Sequence, residues 1–176
     1  MAGQTLTTER LAARPVEADD LEGLLAVRQS NQERLLRTEG SEGEPGRYTI
    51  EMLERDVMLA DLDPARLFLA IRKLVDREPV IGLVDMLVAN PSDNHPWLGS
   101  VEITAIEQRK GFGREAALAA TEFLLSQGAS GRAVRAAIDG DDAAAQAFAA
   151  ACGFVRSQSA DVALRDGQML FESPAG

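Results

Sequence analysis

The residues Gln108-Arg109-Lys110-Gly111-Phe112-Gly113-Arg114-Glu115-Ala116 decide how this chain is read. Before them, Trp97 to Ile106 has the composition of a strand. After them, Gly113 to Gln127 repeats its apolar residues at helical spacing. Gly111 and Gly113 carry no Cβ, so the backbone at this strand-to-helix turn can come close to a ligand. The helix that follows points unpaired N–H groups and its positive dipole end back at the turn. Together these make an anion site suited to a pyrophosphate.

Working outward, Leu11 to Pro15 predicts a short strand after a polar lead-in. Asp19-Asp20 is expected to cap a helix from Leu21 to Asn31, with Leu21, Leu24, Leu25 and Arg28 at helical spacing. Gly40 to Gly46 is a loop by composition. Thr49 to Leu59 predicts a second helix, its inner face set by Met52, Leu53, Asp56 and Val57. Leu67 to Val75 and Val80 to Val88 predict strands, turned into a hairpin by Asp76-Arg77-Glu78-Pro79. Beyond the polar loop Asn90 to Pro96 and the glycine loop, Ala116, Ala117, Ala120, Phe123 and Leu124 give the next helix its buried face. Gly128 to Gly131 ends it. A strand from Arg132 to Asp139 leads to Asp139-Gly140-Asp141-Asp142, which caps a helix with Ala145, Phe148, Ala149 and Cys152 on one stripe. Val155 to Leu164 and Gln168 to Glu172, joined by Asp166-Gly167, predict a closing hairpin. The expected order is β-α-α-β-β-β-α-β-α-β-β, in one domain spanning residues 1–176.

The glycine loop has two spellings. Gly-x-Gly-x-x-Ala is a dinucleotide fingerprint, and Asp139 ends the next strand about where a ribose-binding acid would stand. Against that reading, Gln108-Arg109-Lys110 separate the strand from the first glycine, and only 37 residues follow Asp139. The other spelling is Gln-x-x-Gly-x-Gly. It occurs with an opening Thr8-Glu9-Arg10-Leu11-x-x-Arg14-Pro15, a Val80-Ile81-Gly82-Leu83 strand and a late helix closing on Ala151-Cys152-Gly153-Phe154. In that order and spacing the chain resembles the GNAT N-acetyltransferases, and its opening resembles the branch that acetylates ribosomal-protein N-termini. The resemblance implies an α/β (α+β) GNAT fold, with a mixed, mostly antiparallel sheet of about seven strands flanked by four helices. It also implies acetyl-CoA as cosubstrate.

Composition narrows the partners. The net charge of −10 and pI near 4.6 argue against nucleic acid, whose binding needs cations to neutralise phosphates. They are compatible with an amine acceptor and equally with plain solubility. One cysteine, Cys152, allows no internal disulfide. With no apolar leader and no run of ~18 apolar residues, a cytoplasmic setting away from membranes is expected. No metal is called for, and a homodimer is compatible with the family.

Acyl transfer to an amine needs an anchored thioester, a base, an oxyanion donor and an outlet for the thiolate. The resemblance maps the pyrophosphate loop onto Gln108, Arg109, Lys110, Gly111, Phe112, Gly113 and Arg114, mostly through backbone N–H groups. Arg109 and Lys110 either add charge to the phosphates or form a solvated basic corner. By position the pantetheine arm falls on Ile103, Thr104, Ala105 and Ile106, with the N–H near Ala105 as oxyanion donor. Two bases are open. Glu102 lies on the same strand, where partial burial would raise its pKa, and His95 lies in the preceding loop. The family's late-helix tyrosine falls on Ala149 and its asparagine on Asp142, which accepts but cannot donate when ionised. Tyr48, the single tyrosine, or water is then left to protonate the thiolate. Cys152 reads as core. The two functions in view are an acetyl-CoA-dependent N-acetyltransferase acting on a small amine or a protein N-terminus, and a catalytically weak acyl-CoA-binding sensor or interaction module.

Overall fold

Five consecutive residues of Arg66–Lys73, Leu67 to Ile71, are buried, and Val80–Leu87 is nearly as apolar. Such runs mark strands covered on both faces. They pair antiparallel as β3 and β4 in the middle of the sheet. The fold is that of a computed structural model describing residues 4–32, 48–127, 132–159 and 161–174. The other strands are β1 (Leu6–Thr7), β2 (Leu11–Pro15), β5 (Trp97–Ile103), β6 (Arg135–Asp139), β7 (Val155–Arg156) and β8 (Gln168–Glu172). They run in the order β1-β2-β3-β4-β5-β6-β8-β7, and only β5 and β6 are parallel. Among the described residues there are four α-helices: α1 (Leu21–Ser30), α2 (Ile50–Leu62), α3 (Phe112–Ser126) and α4 (Ala143–Ala151).

Helices α1 and α2 cover one face of the sheet, packing Leu24 and Leu53 on Phe68, Ala70 and Leu83. Helix α3 covers the other, setting Ala117, Ala120 and Leu124 against Ile71, Val84 and Ile103. Leu53 and Leu83 are fully buried, each contributing roughly 1.5–3 kcal/mol by leaving water.

The expected architecture is present, with an eighth strand. Leu6–Thr7 pairs with Ala12–Ala13, and two residues are too few to show a period in the sequence. Helix α2 begins after Thr49, whose hydroxyl accepts from Met52 N–H, and runs to Leu62. Its inward residues are Leu53 and Ala60, while Met52 faces solvent. Phe123 is only partly buried on α3, where Phe112 and Thr121 complete the inner face. β5 stops at Ile103, and residues 105–107 form a 3-10 turn instead of continuing the strand. β7 is two residues long: Val155 and Arg156 pair with Glu172 and Phe171 of β8, and Ser157 N–H adds one bond to the Leu170 carbonyl before the chain leaves the sheet. Gly167 at φ 84° makes the turn expected of Asp166-Gly167. The loops called at residues 40–46 and 128–131 lie outside the described residues.

The parallel pair sets up the site. β5 and β6 touch in register only at Trp97 and Arg135, and beyond that vertex they part. Arg135, 4% exposed, donates to Asp93, Asp161 and Glu172 at 2.9 Å each. Burial works against its charge. The hydrogen bonds it donates to Asp161, Asp93 and Glu172 override that and raise its pKa above the ordinary guanidinium value. Asp161 is held at about 2 by Arg135 and then Ser159. A carboxyl lowered in this way contributes stability above its ordinary value near 3.8, and the contribution is lost as pH falls towards 2. Urea midpoints followed from pH 5 to pH 2 should therefore fall less steeply in Asp161→Asn than in the wild type. Equal slopes would show that the Arg135–Asp161 contact is not formed in solution.

Candidate functional site

A cavity of about 380 Å³ occupies the gap where β5 and β6 part. Leu98 to Glu102 form one wall and Ala136 to Asp139 the other. Its lining comes from both faces of the sheet. Arg28 of α1 and Asp56 of α2 stand on one side, with Ala117 of α3, Phe148 and Ala149 of α4 and Cys152 just past its end on the other. The cavity thus passes through the sheet, with Arg28, Asp56, Arg66 and Asp85 at a charged end and a mostly apolar wall that includes Asp142 at the other. A bulge shapes the β5 wall. Asp85 pairs with Ser100 and Met86 with Leu98, leaving Gly99 over. A Cβ on Gly99 would lie 3.1 Å from the Asp85 carbonyl, so glycine suits the bulge.

The anion loop follows β5. Gly111 at φ 87° is the N-cap of α3, a conformation glycine adopts without a Cβ penalty. Arg109 takes φ 62° in the same loop. Among the described residues, no backbone N–H of residues 111–114 donates to an acceptor within the chain. Four orphan donors at a helix N-terminus form a cradle for phosphate oxygens. A Cβ at Gly113 would meet Ile103 and Phe148 at an ordinary 3.5 Å, so packing alone does not require glycine there.

The side chains of the loop are mostly engaged elsewhere. Gln108 donates to the Ile103 carbonyl and to Asn31 Oδ1, both at 2.8 Å, tying the loop to β5 and α1. Lys110 pairs with Glu107 at 3.0 Å. Phe112 is buried, its ring 4.6 Å from the Arg10 guanidinium and 5.2 Å from the Lys73 ammonium. Arg114 donates to the Ala151 carbonyl at 2.9 Å, closing the end of α4. Arg109 is exposed and makes no ion pair among the described residues.

The remaining expectations meet a mixed outcome. Thr104 N–H donates to the Ile81 carbonyl and Ala105 N–H to Ser30 Oγ at 3.2 Å. Ile106 is exposed. Of the stretch expected for the pantetheine arm, Ile103 ends β5 and Thr104 to Ile106 turn away from the strand, while the cavity is walled by the preceding residues 98–102. Ala105 N–H, called as oxyanion donor, already has an acceptor. His95 stands at the closed end of the gap, with Nδ1 3.1 Å from the Ala133 carbonyl. A carbonyl only accepts, so Nδ1 carries the proton. Six residues of strand, about 20 Å, separate the start of β5 beside it from Ile103, and it does not line the cavity.

Glu102 does line the cavity. It faces the α1–α2 side, in one row with Leu83 and Ala70, and its side chain is 1% exposed. Its burial comes with a cation attached: Arg28 Nη1 donates to Oε1 at 2.8 Å. Asp56 lies 3.8 Å from Arg28 Nη2 and accepts from the Tyr48 hydroxyl. The Tyr48 ring stacks 5.3 Å from the Arg28 guanidinium. Tyr48 is thus joined to the cavity through Asp56 and does not itself line it. Asp142 lines the cavity as N-cap of α4, accepting from Ala145 N–H at 2.9 Å. Burial pushes the Cys152 thiol up, with Arg114 opposing weakly, which suits a packing role.

Sequence reading missed Arg28, Asp56 and the Arg66–Asp85 pair, which also line the cavity. Arg28 had been noted only for its helical spacing. A buried arginine on an otherwise apolar stripe was the available signal. Arg66 donates to Asp85 through Nε at 2.9 Å and Nη2 at 2.7 Å, and those bonds hold its pKa above the ordinary value. Among the described residues no group of three or more His, Cys, Asp or Glu is placed to hold a metal. No described helix is long and apolar enough to cross a membrane.

The fold that carries this cavity is matched by known proteins. Residues 10–155 match the family profile described as "Acetyltransferase (GNAT) domain". The chain belongs to the GNAT acetyltransferase family. A search of curated proteins finds no match. A Vibrio cholerae structure, provisionally a ribosomal-protein-serine acetyltransferase, superposes with TM-score 0.73 at 21% identity over 98% of each chain. The PaiA N-acetyltransferase of Thermoplasma acidophilum, solved with coenzyme A, gives 0.66 at 16% identity over 93% of this chain and 98% of that one. A chimera of Vibrio cholerae spermidine N-acetyltransferase SpeG and hSSAT gives 0.66 at 17% identity over 93% and 94%.

Proposed function

We propose that the chain transfers an acetyl group from acetyl-CoA to a primary amine by direct attack. The observation that carries this reading is the cavity through the sheet, which lets two substrates meet from opposite faces. The orphan N–H groups of residues 111–114 are suited to the pyrophosphate, and the pantetheine arm fits between β5 and β6 against Phe148, Ala149 and Cys152. The amine is assigned to the charged end, near Asp56, Asp85 and Glu102. Glu102 takes the proton as the amine nitrogen bonds to the acetyl carbon and the carbon–sulfur bond breaks. A thiol of pKa ~8.5 leaves as thiolate with little assistance and is reprotonated by water. The acceptor belongs to the class of small amines and protein N-termini, the latter favoured by the Thr8-to-Pro15 opening.

One observation favours a second reading, an acyl-CoA-binding module with weak catalysis. Ala149, where the family commonly carries a tyrosine, offers the cavity no proton donor. Two measurements separate the readings. Acetyl-CoA at 100 times its dissociation constant should stabilise the fold by about 2.7 kcal/mol, seen as a raised Tm that NAD does not produce. CoA release should then follow addition of pooled amines or N-terminal peptides. A raised Tm without release supports the binding module, and a Tm unmoved by acetyl-CoA defeats both.

A further inference from the structure

We propose that Arg10 is a positioning residue for the anion loop, setting its affinity for pyrophosphate from behind without touching the ligand. The inference rests on reading that loop as the acyl-CoA pyrophosphate site. Arg10 lies between β1 and β2, a hundred residues before the loop in sequence, yet one side chain underlies it at four points. Nε donates to Glu115 Oε2 at 2.7 Å, and Nη2 pairs with the same oxygen. Nη1 donates to the Lys110 carbonyl at 3.3 Å. The guanidinium stands 4.6 Å from the centre of the Phe112 ring. A Cβ on Gly111 would come within 3.3 Å of Nη2.

Two effects on anion binding follow. The first concerns charge. Glu115 is the acidic residue in the first turn of α3. A carboxylate there suits the helix dipole but repels a second anion arriving at the same N-terminus. Thr8 Oγ1 and the Arg10 N–H, the latter at 3.0 Å, bind Oε1 while the Arg10 guanidinium binds Oε2. Burial pushes the Glu115 carboxyl up, and the bonds from Thr8 and Arg10 outweigh it and leave its pKa below the usual value. The carboxylate stays ionised, with its charge paired to the Arg10 guanidinium and turned towards the N-terminal segment. The second effect concerns direction. In a trans peptide the C=O and N–H point opposite ways. By holding the Lys110 carbonyl, Arg10 turns the Gly111 N–H away from itself, into the same set of orphan donors as residues 112–114.

The test compares acetyl-CoA with S-acetylpantetheine, which shares the thioester and lacks the pyrophosphate. For Arg10→Ala, acetyl-CoA affinity measured by titration calorimetry should fall about tenfold while S-acetylpantetheine affinity stays within about twofold. Comparing two ligands on the same preparation cancels any loss of folded protein. Arg10→Lys, which keeps the charge but not the planar fork, should restore only part of the acetyl-CoA affinity. Parallel losses for both thioesters would make Arg10 merely structural, and undiminished acetyl-CoA affinity in folded Arg10→Ala would overturn the proposal outright. If the wild type binds S-acetylpantetheine and acetyl-CoA equally, the loop is not a pyrophosphate site, and the reading beneath the proposal falls with it.

Discussion

Glu102→Gln should lower kcat by about a hundredfold or more, the low end for losing a general base. The substitution keeps the side-chain shape, so acetyl-CoA affinity should hold and the loss should fall on the chemical step. It also removes a charge from beside Arg28, which is 4% exposed. Stripping one partner from a buried ion pair costs about 3–5 kcal/mol, and Asp56, 3.8 Å from Arg28 Nη2, offsets part of it. The rate is therefore best measured well below the variant's Tm, with acetyl-CoA binding as the check on folding. A second variant separates chemistry from stability. Arg28→Met with Glu102→Leu removes both charges and should recover stability while leaving turnover low. Near-normal turnover in either variant would take the base role from Glu102.

Arg135→Met should cost about 3–5 kcal/mol of folding stability, the range for leaving a buried charge without its partner. The charge left behind is Asp93, whose side chain is 1% exposed. Trp97 Nε1 would still donate to it at 3.0 Å, but a neutral donor does not replace a guanidinium. Glu172 and Asp161 are 24% and 52% exposed and can turn to water. Urea unfolding at neutral pH measures the change. Because Arg135 sits where β5 and β6 meet, acetyl-CoA affinity should fall as well. A loss below about 1 kcal/mol would place the cluster among weak surface pairs and leave the vertex to backbone pairing alone.

Much of the fold could be read from residue order because the signals are local. Asp142 caps its helix as its type suggests, and Asp166-Gly167 forms a turn directly before β8. The glycine turn into α3 was legible for the same reason, since glycine spacing and a following helix are properties of nine adjacent residues. The charged end of the cavity was not legible. Arg28, Asp56, Asp85 and Glu102 come from α1, α2, β4 and β5, and only the packing of two helices on one face of the sheet brings them together. His95 was attractive as the single histidine near β5. Sequence distance could not reveal that it stands at the closed end of the gap. The end of β5 was overestimated because Thr104 and Ala105 fit a strand by composition, while Thr104 N–H makes the last bond to β4, at Ile81, and Ala105 N–H turns away to Ser30.

Both margins of the sheet are two residues long, Leu6–Thr7 on one side and Val155–Arg156 on the other. A long bare strand at a margin invites another chain to continue the ladder, and short ones give such growth little to hold. An eight-stranded sheet with a 45% hydrophobic sequence thus ends in edges that discourage uncontrolled polymerisation. Val155, though well exposed, offers an incoming strand a template of only two residues. Self-association that keeps the cavity open would then have to use the helical faces of the molecule rather than extend its sheet.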